Sequence, residues 1–364
     1  MPLPSSFSAA FVNNYAMAAL VERLRTSVVA APTASVINVV GAVVVVVVAV
    51  AAAQRIYQGG PAYFIQTMGF GLAQGSIFAL VALGYTMVYG IIELINFAHG
   101  DVFTLGAFFS LALMPAFGMV EGKISGPALI LPLLGLFVIT MLFCGVVNVI
   151  IERVAYRPLR HAPRLAPLIT AIGMSALLEG IMFVWKGPFN LRYPDFLPET
   201  QVTVFPGATV AAKALMVMGV AVVLMIALTL FIGRSKLGKA MRATAQDSDA
   251  AQLMGIDINR TISATFFIGA VLAGAGGIIY GLYYNSVAAF DGFQYGLVAF
   301  TAAVFGGIGN IPGAALGGIL IGLIAAISDG YFNPAWTQVL IFSILIFVLV
   351  FRPTGLLGMR VPEK

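Results

Sequence analysis

Charge is scarce in this sequence: 9% of its 364 residues are Asp, Glu, Lys or Arg, against about a quarter in an ordinary soluble domain. Too few charges remain to cover a water-facing surface of that size, which excludes a soluble globular protein. Cysteine is nearly missing as well. The single Cys144 lies inside an apolar run, which excludes a disulfide framework and a cysteine metal site and leaves it the role of a small apolar residue. The two histidines, His99 and His161, are too few and too far apart in sequence to suggest a metal centre. No G-x-x-x-x-G-K-[ST] loop occurs, so the chain has no P-loop for ATP, and no cofactor of its own is expected. Nucleophile, base and orienting group never occur together, so no catalytic residue is assigned and an enzyme is not expected. Long polar segments are missing too. The two largest, 186–210 and 234–260, are too short for a water-soluble domain.

What is present is apolar, 60% of the residues being hydrophobic. Apolar runs of about 20 residues match the hydrocarbon thickness of a bilayer at helical rise. Such runs predict spans at 35–53, 63–89, 101–120, 127–150, 165–185, 211–233, 261–284, 311–328 and 335–351. A shorter run, 294–307, predicts a tilted short helix or a re-entrant one. The fold class is all-α: a polytopic transmembrane helical bundle of nine or ten spans with broken or re-entrant helices.

A net charge of +5 would point to nucleic acid if the cations shared one face, but they sort by loop instead. Arg153, Arg157, Arg160 and Arg164 share one loop; Arg234, Lys236, Lys239, Arg242 and Arg260 a second; Arg352, Arg360 and Lys364 the tail; Arg23 and Arg25 precede the first span. Arg55, Lys123, Lys186, Arg192 and Lys213 fall on the opposite side when spans alternate. This asymmetry places the basic loops in the cytoplasm of a multi-pass protein in a lipid bilayer, with no nucleic-acid partner.

Residues 1–60 form a leader and first hydrophobic span, 61–358 the transmembrane domain, and 359–364 a tail. The valine-rich run at 36–50 is followed by "AVAAAQ", which fits signal-peptidase cleavage after Ala53 as well as an ordinary first span. Either reading leaves residue 60 outside. Among the 40 glycines, Gly71 and Gly75, Gly277 and Gly281, Gly313 and Gly317, and Gly318 and Gly322 are spaced four apart. That spacing lets helix backbones approach closely in lipid.

Two stretches interrupt the plain spans. In "GYTMVYGIIELINFAHGDVFTLGAFFS", an apolar helix runs into Glu93, Asn96, His99, Gly100 and Asp101 before another helix starts. In 277–318, a helix gives way to Asn285, Ser286, Asp291 and Gly292, then to a short helix and a Gly/Pro turn. Irregular backbone at membrane depth survives only where protein or a water-filled cavity satisfies it, so both stretches are candidate linings of a translocation pathway. Their weak likeness, "GDVFTLGA" against "DGFQYGLVA", hints at a duplicated half. Bland readings stand beside the functional one: Asp101 as the N-cap of the helix after Gly100, Glu179 as a side chain reaching the outer interface near Lys186, and Glu93, Asn96 and His99 as internal polar packing. So few buried carboxylates argue against a secondary carrier.

The segment "GRSKLGKAMRATAQDSDAAQLMGIDINR" predicts a helix of little more than one turn, Ala250 to Met254. Asp249 would cap its start with Gln252 as box partner, and Gly255 would end it in the left-handed conformation. A free helix that short is unstable in water. Either it plugs a groove on a soluble partner through Leu253 and Met254, or it packs on its own bundle.

"DAAQLMG" resembles the EAA-x-x-x-G loop by which ABC importer permeases engage their ATPases, with Asp249 in place of the usual Glu. Together with "GYTMVYGIIELINFAHGDVFTLGAF", "LGKAMRATAQDSDAAQLMGIDINR", "AVFGGIGNIPGAALGG" and "FRPTGLLG", it resembles the first permease subunit of bacterial branched-chain amino acid ABC importers over about residues 63–358. The leader before residue 60 departs from that pattern. The resemblance implies an ABC importer permease in the cell inner membrane, a second homologous permease, two cytoplasmic ATPase subunits that bind the ATP, and a periplasmic or extracellular solute-binding protein. It implies that Asp249, Ala250, Ala251 and Gly255 form the ATPase-contacting turn with Leu253 and Met254 packed into it, and that Asn96 to Asp101 lie beside the pathway. Permeases of the same family for urea, short-chain amides or other amino acids fit as well.

Overall fold

A computed structural model describes residues 32–119, 126–160, 162–163, 165–197, 200–352 and 354–358. The leader before Pro32, the end of the tail from 359, and Lys123, His161 and Arg164 lie outside those residues. The chain divides into two units, Met1–Gly60 and Pro61–Lys364. Helix α1, Pro32–Ile92, runs through the boundary and is broken at Gly60, whose φ is 77°. Pro61 forbids a helical hydrogen bond and disfavours a helical residue before it, and glycine takes the resulting positive φ without a Cβ clash. The spans expected at 35–53 and 63–89 both fall within α1.

The second unit holds the rest of α1 and then α2 (Ala98–Leu113), α3 (Ile130–Ile151), α4 (Leu165–Lys186), α5 (Ala212–Arg234), α6 (Lys236–Gln246), α7 (Ser248–Leu253), α8 (Ile258–Tyr284), α9 (Asp291–Gly306), α10 (Ile311–Tyr331) and α11 (Thr337–Phe351). Among the described residues eight segments are long and apolar enough to cross a membrane. The protein is a polytopic all-α membrane bundle. The short helix expected at 294–307 is α9, which has 16 residues and is roughly 24 Å long at helical rise.

Four short strands among the described residues were not foreseen. β1 (Leu191–Arg192) pairs antiparallel with β4 (Ser286–Val287), and β2 (Gln201–Phe205) with β3 (Ala208–Ala211). They occupy the loops before α5 and α9, where apolar residues alternate too briefly to be read as strands.

α8 and the part of α1 beyond Gln54 are the most buried spans, whereas α3, α4, α5 and α11 are mostly exposed. Leu131, Ile169, Val184, Val223 and Val350 face outward from those helices, and in a bilayer that surface meets hydrocarbon rather than water. The glycine pairs of α1 and α10 find each other. A Cβ on Gly75 would lie 2.8 Å from Ile319 Cα and 3.0 Å from the Gly318 carbonyl, and one on Gly322 would strike Gly75. Gly71 faces Ala326 and Leu323 in the same crossing. Two motifs that sequence spacing marks separately are one close backbone contact, held by dispersion where no hydrophobic force distinguishes helix from lipid.

Candidate functional site

The polar loop between α5 and α8 is built from caps. Ser235 caps α6 by accepting from Gly238 N. Asp247, still extended at φ −156°, caps α7: its Oδ1 accepts from Asp249 N and Ala250 N, each at 3.0 Å. The expected cap at Asp249, with Gln252 as its partner, is therefore corrected. The capping residue must precede the first helical one, and Ser248 is already helical, so Asp249 sits inside the first turn, where its charge favours the helix N-terminus. The expected range Ala250 to Met254 becomes Ser248–Leu253.

The other end is as expected. Gly255 has φ 84°, and Ile256 N→Ala251 O (3.1 Å) with Gly255 N→Gln252 O (2.9 Å) form a Schellman closure. A Cβ on Gly255 would meet nothing within 4 Å. Backbone conformation, not space, requires glycine there. Asp257 then starts α8 by accepting from Arg260 N at 3.1 Å. Ala251 is the buried residue of α7, while Leu253 is 89% and Met254 83% exposed. The bundle leaves the apolar end of this helix uncovered. Asp247→Ala should remove about 1 kcal/mol of local stability through the lost cap, seen as faster amide exchange in 248–253 with an unchanged bundle Tm; unchanged exchange would contradict the cap assignment.

At the first break, Glu93 turns left-handed (φ 52°) and its N–H closes α1 on Tyr89 O at 2.8 Å. Its side chain is exposed, so it does not join the buried polar residues that follow. Asn96 is buried and accepts from Tyr156 OH at 2.7 Å. The His99 ring lies edge-on to Tyr85, centroids 4.9 Å apart, and fills the space a Cβ on Gly84 would take. Neither ring nitrogen completes a hydrogen bond.

Asp101 is fully buried. It does not cap α2: the N-cap position is Phe97, with no side-chain cap. Asp101 lies past the first helical residues, so its carboxylate turns sideways and accepts from Ser175 of α4, leaving Oδ1 without a partner.

At the second break, Asn285 is left-handed (φ 54°) and ends α8. Its carbonyl accepts from Tyr193 N at 3.0 Å and its Oδ1 from Lys213 Nζ at 3.1 Å. Asp291 accepts from Tyr280 OH at 2.9 Å and Ala288 N at 2.7 Å. The breaks meet where α2 crosses α9: a Cβ on Gly100 would strike the Gly292 carbonyl and lie 2.8 Å from Gly296 Cα. Gly100 and Asp101 thus join the start of α9, one residue after Asp291, while Asn285 is drawn to Tyr193 and Lys213.

A family model described as branched-chain amino acid transport system / permease component matches residues 67–349. The chain belongs to this permease family. High-affinity branched-chain amino acid transport system permease protein BraD of Pseudomonas aeruginosa is 42% identical over 305 residues, 83% of this chain and 98% of that protein. Permease protein LivH of Escherichia coli strain K12 is 40% identical over the same shares. Probable branched-chain amino acid transport permease protein LivM of Methanocaldococcus jannaschii is 28% identical over 141 residues, 35% of this chain and 40% of that protein. No solved structure matches.

The region matched to the permease family contains both breaks and the whole α6–α7 loop. Sequence reasoning missed Tyr156 and Ser175 as partners of Asn96 and Asp101, and the ion pair of Glu152 with Arg160. Glu152 ending an apolar run was the visible signal; Arg160 follows it by eight residues, whereas Ser263 stands on α8 and leaves no local spacing to read.

Proposed function

We propose that this permease is the membrane subunit of an ATP-driven importer for branched-chain or related amino acids. It forms the translocation pathway with a second homologous permease, two ATPase subunits drive it from the cytoplasm, and a periplasmic or extracellular solute-binding protein delivers the solute. The basic loops, α7 among them, face the cytoplasm of the bacterial inner membrane by the positive-inside asymmetry. The names of BraD and LivH support the solute class, and the name LivM supports a second permease.

One observation carries the coupling role: a short helix, closed at both ends, presents Leu253 and Met254 bare. Burying each such side chain on a partner is worth about 1.5–3 kcal/mol, so the preformed knob docks without a folding cost. Asp249, Ala250, Ala251 and Gly255 shape it. ATP closes the paired ATPases, α7 moves with them, and the bundle rearranges around the helix break at Asn96 to Asp101; hydrolysis resets it. ATP stays on the partner subunits, and the permease needs no cofactor of its own.

The test is to tag this chain, extract it in mild detergent and count the ATPase subunits that come with it; two are expected. Gly255→Val forces a β-branched residue left-handed at a cost of about 1–2 kcal/mol, with no steric clash to unfold the bundle. Expected are weaker ATPase retention and uptake at an unchanged Tm. Full retention and uptake in the valine variant would refute the assignment.

A further inference from the structure

The loop before α8 and the first helix break are linked through the π turn at the end of α3, which makes side-chain contacts with α8 on one side and with the break on the other. α3 does not end as an α-helix: Glu152–Tyr156 form a π turn, a wider winding that inserts a residue and is frequent at functional sites. That turn carries two buried polar residues. Glu152 is fully buried; it is ion-paired to Arg160 and accepts from Ser263 Oγ at 2.6 Å. Arg160 donates through Nη1 to Asn259 Oδ1 at 2.7 Å. Asn259 and Ser263 stand in the first two turns of α8, directly after Asp257, the cap that follows α7 and Gly255.

The same π turn reaches the other way. Tyr156, 2% exposed, donates to Asn96 while its ring rests on Phe266 of α8, centroids 5.7 Å apart. Asn148, one turn earlier on α3, donates to the Phe266 carbonyl at 2.8 Å, so α3 and α8 are locked together at this level. Asn96 belongs to the non-helical link between α1 and α2, just before His99 and Asp101.

Resting on the coupling role given to α7, we infer that Glu152, Arg160 and Tyr156 are positioning residues for transport: they transmit displacement of the coupling loop to the α1–α2 break. The start of α8 moves with α7. The ion pair cannot slide or lengthen freely, because Glu152 is fully buried and losing Arg160 would leave its carboxylate uncompensated in a low-dielectric site. The π turn must therefore follow α8, and Tyr156 carries that movement to Asn96. The bare apolar knob supplies the grip; this linkage supplies the lever.

The test uses the whole importer in proteoliposomes, measuring uptake and ATP hydrolysis in parallel for Tyr156→Phe and Asn259→Ala. Tyr156→Phe keeps the ring on Phe266 and deletes only the hydroxyl; Asn259→Ala removes one contact near the loop surface and leaves the ion pair. Expected are intact assembly, hydrolysis near wild type and uptake per ATP reduced about fivefold or more, the usual size of a lost coupling between sites. An unchanged ratio of uptake to hydrolysis in both variants, whether both rates are normal or both fall together, overturns the inference. If instead the wild-type complex retains no ATPase subunits, the coupling role itself is what fails.

Discussion

Gly100→Val is expected to leave almost no folded permease in the membrane. The new Cβ would run into the Gly292 carbonyl and Gly296 Cα, and backbone atoms, unlike the tip of a flexible side chain, cannot step aside without parting α2 from α9. Overpacking of a close-packed interior costs about 1–3 kcal/mol when side chains give way, and here the whole helix crossing must give way, so the cost lies at or above the top of that range. The separation would also expose the unpartnered Asp101 oxygen and unseat His99. Yield of monodisperse protein in detergent and its Tm are the measurements. Gly173→Val is the matched control, because a Cβ there meets nothing within 4 Å and the Tm should be unchanged. A Gly100→Val permease with normal Tm and uptake would show that the two breaks do not pack as described.

The double replacement Leu253→Asp with Met254→Asp should do the reverse, sparing the fold and abolishing transport. Both side chains are exposed, and substitutions at such positions move stability by only about 0.5 kcal/mol. What is lost is the partner's gain: two side chains at about 1.5–3 kcal/mol each, with two carboxylates left to desolvate on docking. Each 1.4 kcal/mol is about tenfold in affinity, so retention of the ATPases should fall by at least about a hundredfold. Quantified co-purification and ATP-driven uptake read this directly. Normal retention in the double variant would mean that the ATPases grip some other surface.

Much of the fold was legible because membrane burial writes itself into local composition. The spans at 165–185 and 211–233 became Leu165–Lys186 and Ala212–Arg234 within a residue or so, since an apolar run must span the hydrocarbon and a charge must stop it. Gly255 was legible for an equally local reason: a helix stop in the left-handed region needs glycine. The caps were less so. Asp247 and Asp249 are both acidic residues at the start of the same short helix, and the choice between them turned on which backbone was still extended. Asp101 misled in the same way, because an acid after glycine at the head of an apolar run reads as a cap, whereas Ser175, far along the chain, claims it.

The sequence by itself determined a multi-pass helical bundle, the two polar breaks and a stopped one-turn helix in a polar loop, because each depends on neighbours within a few turns. Only the tertiary structure decided that the breaks meet at Gly100 and Gly292, that Glu93 stays outside the buried set, that Leu253 and Met254 are bare, and that the π turn of Glu152 and Tyr156 contacts both α8 and Asn96. Those are pairings between distant segments. In a chain where nearly every span is equally apolar, hydropathy carries no record of which helix touches which; close backbone approach and buried hydrogen bonds make that choice.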